Sequence, residues 1–490
     1  MIDINGLNSE QRSAVVNFSG PTLILAGAGT GKTRVITTRI AYMLRNGVSS
    51  KNVAAMTFTN KAAKEMRERV GELIGKSQAK NLSIGTFHSF CINILRQYGS
   101  HLGLSKRFTL VGTSDQIDLV RKSLEEKAWS NHFKADSLLY EINQCKNWLI
   151  SPDDLKKGIL PRHSVSDPAI LAEVYELYER QLQLNRAIDF DDCIFKVVKL
   201  LREFPEIKAK LSEKYRYLLI DEFQDTNSSQ FAIIEEMATE HLNVCVVGDD
   251  DQSIYSWRGA MYETMEKFKT TFPTTKIIKL EQNYRCTNII LNAANSVIKN
   301  NSQRMKKTLW SASSDETPIV IAPSSDAVEE ARWVASKCIE LLGIGFKPAD
   351  IAILYRSNSQ AKLMEMALRE CTVSYKTFGG QSFFERREVK IFLGYLRLVA
   401  NPDDHLALWR VINSPVRGLG LKSQEKIEAN ALNFHTSPYA ILRDKSNEYF
   451  KGKTLQAITE LVQHIETLRS LTLKTPEDMA EVRTSNYKEI

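Results

Sequence analysis

The chain has 490 residues, 43% hydrophobic and 25% charged, which are ordinary values for a globular protein. That length exceeds what a single core supports and predicts about three or four domains. With 65 basic against 58 acidic residues the net charge is +7, compatible with a nucleic-acid partner but weak as a sign of one. No run of about 18 apolar residues occurs, so no membrane partner is expected. The start, MIDINGLNSEQR, lacks the basic and apolar segments of a signal peptide. Seven cysteines are scattered singly with no C-x-x-C pair, which argues against a zinc or disulfide framework and fits a reducing cytoplasm.

In chain order, Asn8 predicts a helix start, with Gln11 three residues on to complete a capping box. Leu23, Ile24 and Leu25 read as a buried strand running into a small-residue loop, AGAGTG, after which Lys32 and Thr33 open a helix. A polyphosphate needs bare backbone N–H groups at close range, which small residues permit. Ala26, Gly27, Ala28, Gly29, Thr30 and Gly31 are therefore the candidate phosphate cradle. The strict pattern has Gly where Ala26 stands, a mild departure because the later amides make most contacts. Lys32 would reach the β/γ-phosphates of ATP, and the Thr33 hydroxyl would ligate Mg²⁺.

Further strands are expected at 53–58, 82–86, 217–220, 244–247 and 276–280, alternating with helices in the manner of a parallel α/β sheet. The alternation lapses between residues 108 and 186, which read as a helical insertion. A second α/β region follows, with strands expected at 319–322, 351–354 and 374–377, and the text turns helical again after Gly379-Gly380. The expected domains are thus 1–107 with 187–279, the insertion 108–186, a second α/β domain at 280–378, and a helical part at 379–490.

Each strand end carries chemistry. YLLIDEFQDT places Asp221 where it can hold the Mg²⁺ of bound ATP, and Glu222 as a base for the attacking water. VVGDDDQSIYSWRGA brings Gln252, able to bond a γ-phosphate or its water. Tyr255 and Trp257, two apart, offer a base-stacking face beside Arg258. Arg285, in EQNYRC, is a candidate arginine finger. TFTNKAA and GTFHSF would line a groove at the strand ends, and its mix of aromatics and donors suits single-stranded nucleic acid.

Together with LNSEQR, ILYRSNSQ and GGQSFFERREVK, these motifs stand in the order and spacing of superfamily 1 DNA helicases, and the chain resembles their Rep/UvrD branch over nearly its whole length. The resemblance implies two RecA-like P-loop motor domains, parallel sheets flanked by helices, each with an inserted helical subdomain and with ATP bound between them. It also implies adenine recognition by Gln11, Arg39 beside the base and Tyr284 stacked on it. Phe58, His88, Tyr255, Trp257 and Arg258 would contact single-stranded DNA, and unwinding of partly duplex DNA would run 3′→5′, with replication or repair proteins as a class of partner. The family's T-L-H-x-x-K-G-L-E-F-like and R-x-x-Y-V-x-x-T-R-A-like segments do not occur, so a fragment is expected, lacking a second arginine for the γ-phosphate. Two alternatives stand beside the motor reading. One is an ATP-gated single-strand-binding protein; the other is a helicase–nuclease subunit, disfavoured by the lack of a D-x-K-like tail.

Overall fold

A computed structural model describes residues 4–161, 164, 166–254, 263–301, 304–378, 386–434 and 436–472. Ten strands are present among them: β1 (Thr22–Ala26), β2 (Val53–Thr57), β3 (Ser83–Thr86), β4 (Thr109–Leu110), β5 (Ala187–Ile188), β6 (Tyr217–Ile220), β7 (Val244–Gly248), β8 (Lys276–Leu280), β9 (Gln282–Asn283) and β10 (Trp310–Ser311). Six of them form one sheet in the order β3-β2-β6-β7-β1-β8, with every pairing parallel. Their carboxyl ends therefore lie along a single edge, where such sheets bind ligands. No helix among the described residues is long and apolar enough to cross a membrane.

Strands β1, β2 and β7 are buried along their whole length, because helices cover both faces of the sheet. Side chains of period two divide between the faces. Leu23, Leu25, Ala54, Met56, Leu218 and Ile220 pack with the helices Phe87–Tyr98, Phe190–Glu203 and Ser228–Ala238. Ile24, Ala26, Val53, Ala55 and Leu219 pack with Ser9–Val16, Lys32–Arg45 and Asn60–Ile74.

Between β3 and β6 the chain makes a helical excursion, Thr113–Glu126, Ala135–Asn147, Pro152–Lys156 and Pro168–Leu184, with an apolar cluster of its own. At its root β4 and β5 pair in parallel, Thr109 opposite Ala187 and Leu110 opposite Ile188. A buried ionic knot fastens the excursion to the helix Phe190–Glu203. Lys146, with a side chain 0% exposed, places Nζ 2.6 Å from Glu179 Oε1, 2.6 Å from Asp189 Oδ2 and 2.9 Å from Asp192 Oδ1. The Tyr178 hydroxyl donates to Asp189 (2.8 Å), and Lys196 bridges Glu179 and Asp192. Burial works against the lysine's charge, but Asp189, Asp192 and Glu179 outweigh it and hold the ammonium well above the usual lysine range.

The described residues fall into two compact units, Pro318–Arg397 and the remainder. In the smaller one, the helices Ala327–Gly343 and Asn358–Glu370 enclose Ala331, Ala335, Cys338, Met364 and Leu368, with Ile351 and Ile353 packed against them. The three strands expected at 319–322, 351–354 and 374–377 are not formed: these segments carry no ladder. A strand is defined by its neighbour, and none of the described segments pairs with them. Ile321 is left 88% exposed and Leu354 93%.

Candidate functional site

The loop after β1 is shaped by two glycines in the left-handed region, Gly29 (φ 70°) and Gly31 (φ 85°). Gly31 is the N-cap of the helix Lys32–Arg45 and offers no side chain, so its first N–H groups are left for an anion. The loop is tightly covered. A Cβ on Gly29 would lie 2.6 Å from Asn283 Nδ2 and 2.8 Å from Arg285 Cβ, and one on Gly27 would overlap Leu309. Asn283 Nδ2 donates to the Ala28 carbonyl (2.6 Å), Tyr284 N to that of Gly29 (3.0 Å), and the Thr30 hydroxyl to that of Gly27 (2.8 Å). Gly29→Ala is expected to weaken nucleotide binding about 5- to 30-fold, matching the ~1–2 kcal/mol that an L-residue loses in this conformation. A fluorescent-nucleotide titration checks it, and unchanged affinity would mean that the loop relaxes freely.

Lys32 opens the helix with its side chain 12% exposed, and its ammonium lies 3.1 Å from Glu222 Oε2. Glu222 follows β6 in a left-handed conformation, φ 50°, which turns its carboxylate towards that lysine. Gln224 holds the same oxygen at 2.7 Å, while its own Oε1 accepts from Asp249 N at 2.9 Å. Asp221 is 6% exposed, its N–H bonded to the Met56 carbonyl across the sheet (2.8 Å). Burial and the neighbouring Glu222 push its carboxyl up to about 6, with Lys32 opposing. Asp225, shifted to about 6 by burial and Glu222, has a buried Oδ1 without a hydrogen-bond partner. Gln252 donates to Asp249 Oδ2 at 2.5 Å.

Lys32, Glu222, Asp221 and Gln252 are thus linked at the ends of neighbouring strands, and the exposed Arg285 reaches the same loop through β9. Gln11 is 1% exposed and already committed: its Nε2 donates to the Thr30 carbonyl (2.9 Å) and its Oε1 accepts from Asn8 N, in the expected capping box. Arg39 is 2% exposed and donates to the Ala14 carbonyl, tying two helices together. Tyr284 is 57% exposed, its hydroxyl between Asn8 and Gln282. Phe58 and His88 are half-buried after β2 and β3, His88 edge-on to Phe190 at 5.9 Å. Tyr255, Trp257 and Arg258 lie outside the described residues.

Sequence reasoning passed over Gln224, although it stands inside the DEFQDT motif, because only the turn at Glu222 reveals that it grips that carboxylate. It also passed over Lys307 and Arg304, which pair with Asp249, Asp250 and Asp251. Those three acids stand in the sequence between a strand and Gln252, and no local pattern points to cations over 50 residues away.

A parallel sheet with a glycine loop on β1 and carboxylates on the strand two places away defines an α/β P-loop nucleotide-binding protein. The chain belongs to the UvrD/Rep helicase family: residues 7–273 match the UvrD/REP helicase N-terminal domain and residues 278–477 the UvrD-like helicase C-terminal domain. It is 41% identical over 470 residues to a protein named ATP-dependent DNA helicase PcrA from Staphylococcus aureus (strain Mu50). It is 40% identical over 470 residues to the protein of that name from Staphylococcus epidermidis (strain ATCC 12228). Each match takes in 96% of this chain and 63% of the relative, so the chain spans somewhat under two thirds of their length.

Proposed function

We propose that this chain is an ATP-driven translocase on single-stranded DNA that unwinds partly duplex DNA in the 3′→5′ direction. The observation that supports it most is the continuous linkage from Lys32 through Glu222 and Gln224 to Asp249 and Gln252, along the edge where a P-loop protein binds its nucleotide. In this reading residues 1–107 with 187–279 form the first motor domain and 280–378 contribute to a second, with 108–186 and 379–490 as helical subdomains. ATP lies with its phosphates on Gly27–Gly31. Hydroxyl and carboxylate oxygens suit a hard cation, and Thr33 and Asp221 would hold Mg²⁺, which offsets phosphate charge. Glu222, once ATP draws Lys32 away, takes the proton of the attacking water; Gln252 orients the γ-phosphate and Arg285 offsets the charge that develops on it. Gln11, Arg39 and Tyr284 serve the base, while Phe58, His88, Tyr255, Trp257 and Arg258 serve the DNA strand.

ATP turnover with and without an oligothymidylate, together with strand displacement from duplexes tailed at the 3′ or the 5′ end, tests the proposal. The expected result is DNA-stimulated turnover, with displacement confined to the 3′-tailed duplex. No turnover, or displacement from the 5′-tailed duplex alone, would overturn it. A second reading, nucleotide-gated strand binding without displacement, is favoured by the unpaired segments 319–322, 351–354 and 374–377. It would appear as DNA affinity that changes with ATP while both duplexes stay intact.

A further inference from the structure

Residues 304–311 form a strap across the carboxyl ends of three adjacent strands. At β8, Thr308 N donates to Glu281 Oε1 (2.7 Å) and Trp310 N to the Glu281 carbonyl (3.1 Å). At β1, Leu309 lies over Gly27. At β7 the contact is ionic. Lys307 Nζ lies 2.8 Å from Asp249 Oδ1, 2.5 Å from Asp250 Oδ1 and 2.7 Å from Asp251 Oδ2, with its side chain 1% exposed. Arg304 grips Asp251 through two nitrogens (2.8 and 2.6 Å), and Met305 N donates to Asp250 Oδ2 (2.6 Å).

Asp249 is the junction of this cluster. One oxygen faces Lys307, the other accepts the Gln252 amide, and its N–H meets Gln224, which holds Glu222. Three adjacent carboxylates repel one another, and without a cation Asp249 would turn towards water and release Gln252. We propose that Lys307 is a positioning residue for Gln252, fixing through Asp249 the amide that meets the γ-phosphate, so that the seating of the strap is felt at the phosphate. This rests on the reading of Gln252 given above. Arg304 shares the charge of Asp251 with Lys307, whose ammonium also serves Asp249 and Asp250. The cluster has the donor set of a cation site, and the ammonium fills it.

A merely structural ion cluster would lower the amount of folded protein without altering turnover per folded molecule. The test is a double-mutant cycle on this chain, with single-turnover ATP hydrolysis and fluorescent-nucleotide titration as readouts. Lys307→Met is expected to lower the hydrolysis rate about 10- to 100-fold, as loss of an orienting partner does, with nucleotide affinity kept within about twofold. Lys307→Arg should recover most of the rate. In a Gln252→Ala background, Lys307→Met should change the rate by less than about twofold. Equal losses in both backgrounds would overturn the proposal, as would full turnover per folded molecule in Lys307→Met. If Gln252→Ala itself hydrolysed ATP like the parent, the reading of Gln252 would fail instead, and the two failures are distinguishable. Should Lys307→Met not fold, Lys307→Met/Asp250→Asn removes one uncompensated charge and runs through the same cycle.

Discussion

Glu222→Gln is expected to bind nucleotide about as well as the parent and to hydrolyse it about 10²- to 10⁴-fold more slowly, the range for losing a general base. The amide keeps an oxygen for Lys32 and Gln224, which hold the side chain at 3.1 and 2.7 Å, so the geometry survives while the basicity goes. Lys32→Ala should behave differently. On the proposed reading it removes the charge that meets the phosphates, so affinity and turnover should fall together. It also strips Glu222 of its counter-charge in the nucleotide-free state. Titration with a fluorescent nucleotide beside steady-state turnover separates the two variants. Near-parental hydrolysis by Glu222→Gln would remove it from the role of base and turn attention to Asp225, whose carboxyl is raised to about 6 by burial and the nearby Glu222.

The second large effect concerns stability. Lys146→Met should lower the unfolding free energy by about 3–5 kcal/mol, because it leaves the buried Asp189 and Asp192, and the half-buried Glu179 beside them, without their common partner. Lys196 remains, yet it reaches only Glu179 and Asp192, not Asp189. Asp192, already pushed up to about 6 by burial and its acidic neighbours, would then take up a proton more readily. Urea denaturation of the variant against the parent measures the loss. A change under about 1 kcal/mol would mean that the pocket admits water or rearranges to pair its acids elsewhere.

The main sheet was legible because its strands are short apolar runs bounded by glycines and motif residues. The sequence places them at 23–25, 53–58, 82–86, 217–220, 244–247 and 276–280, and all six form within a residue or so of those bounds. The capping box of Asn8 and Gln11 is likewise local, four residues that satisfy each other. What failed was non-local. Ile319–Ala322 has the apolar character of a strand, but a ladder needs a neighbour, and periodicity names none. Asp249 to Asp251 were visible as acids, whereas Lys307, which makes them a bound cluster, is more than 50 positions away. Lys146 lies within the expected helical insertion with nothing local to single it out, and only the fold shows it sunk among three carboxylates and two tyrosine rings.

The pairing of β4 with β5 brings the entry and exit of the helical excursion side by side, about one strand spacing apart. Topologically the excursion is a cassette: it hangs from the parent sheet by two adjacent threads and could be exchanged for another of any length that rejoins at the same gap. The doorway is not neutral, however. Asp189 and Asp192 stand on the parent side of it and Lys146 on the cassette side, so the charge balance is split across the seam. Any replacement cassette must either bring its own cation to that spot or be accompanied by neutral residues at both acids.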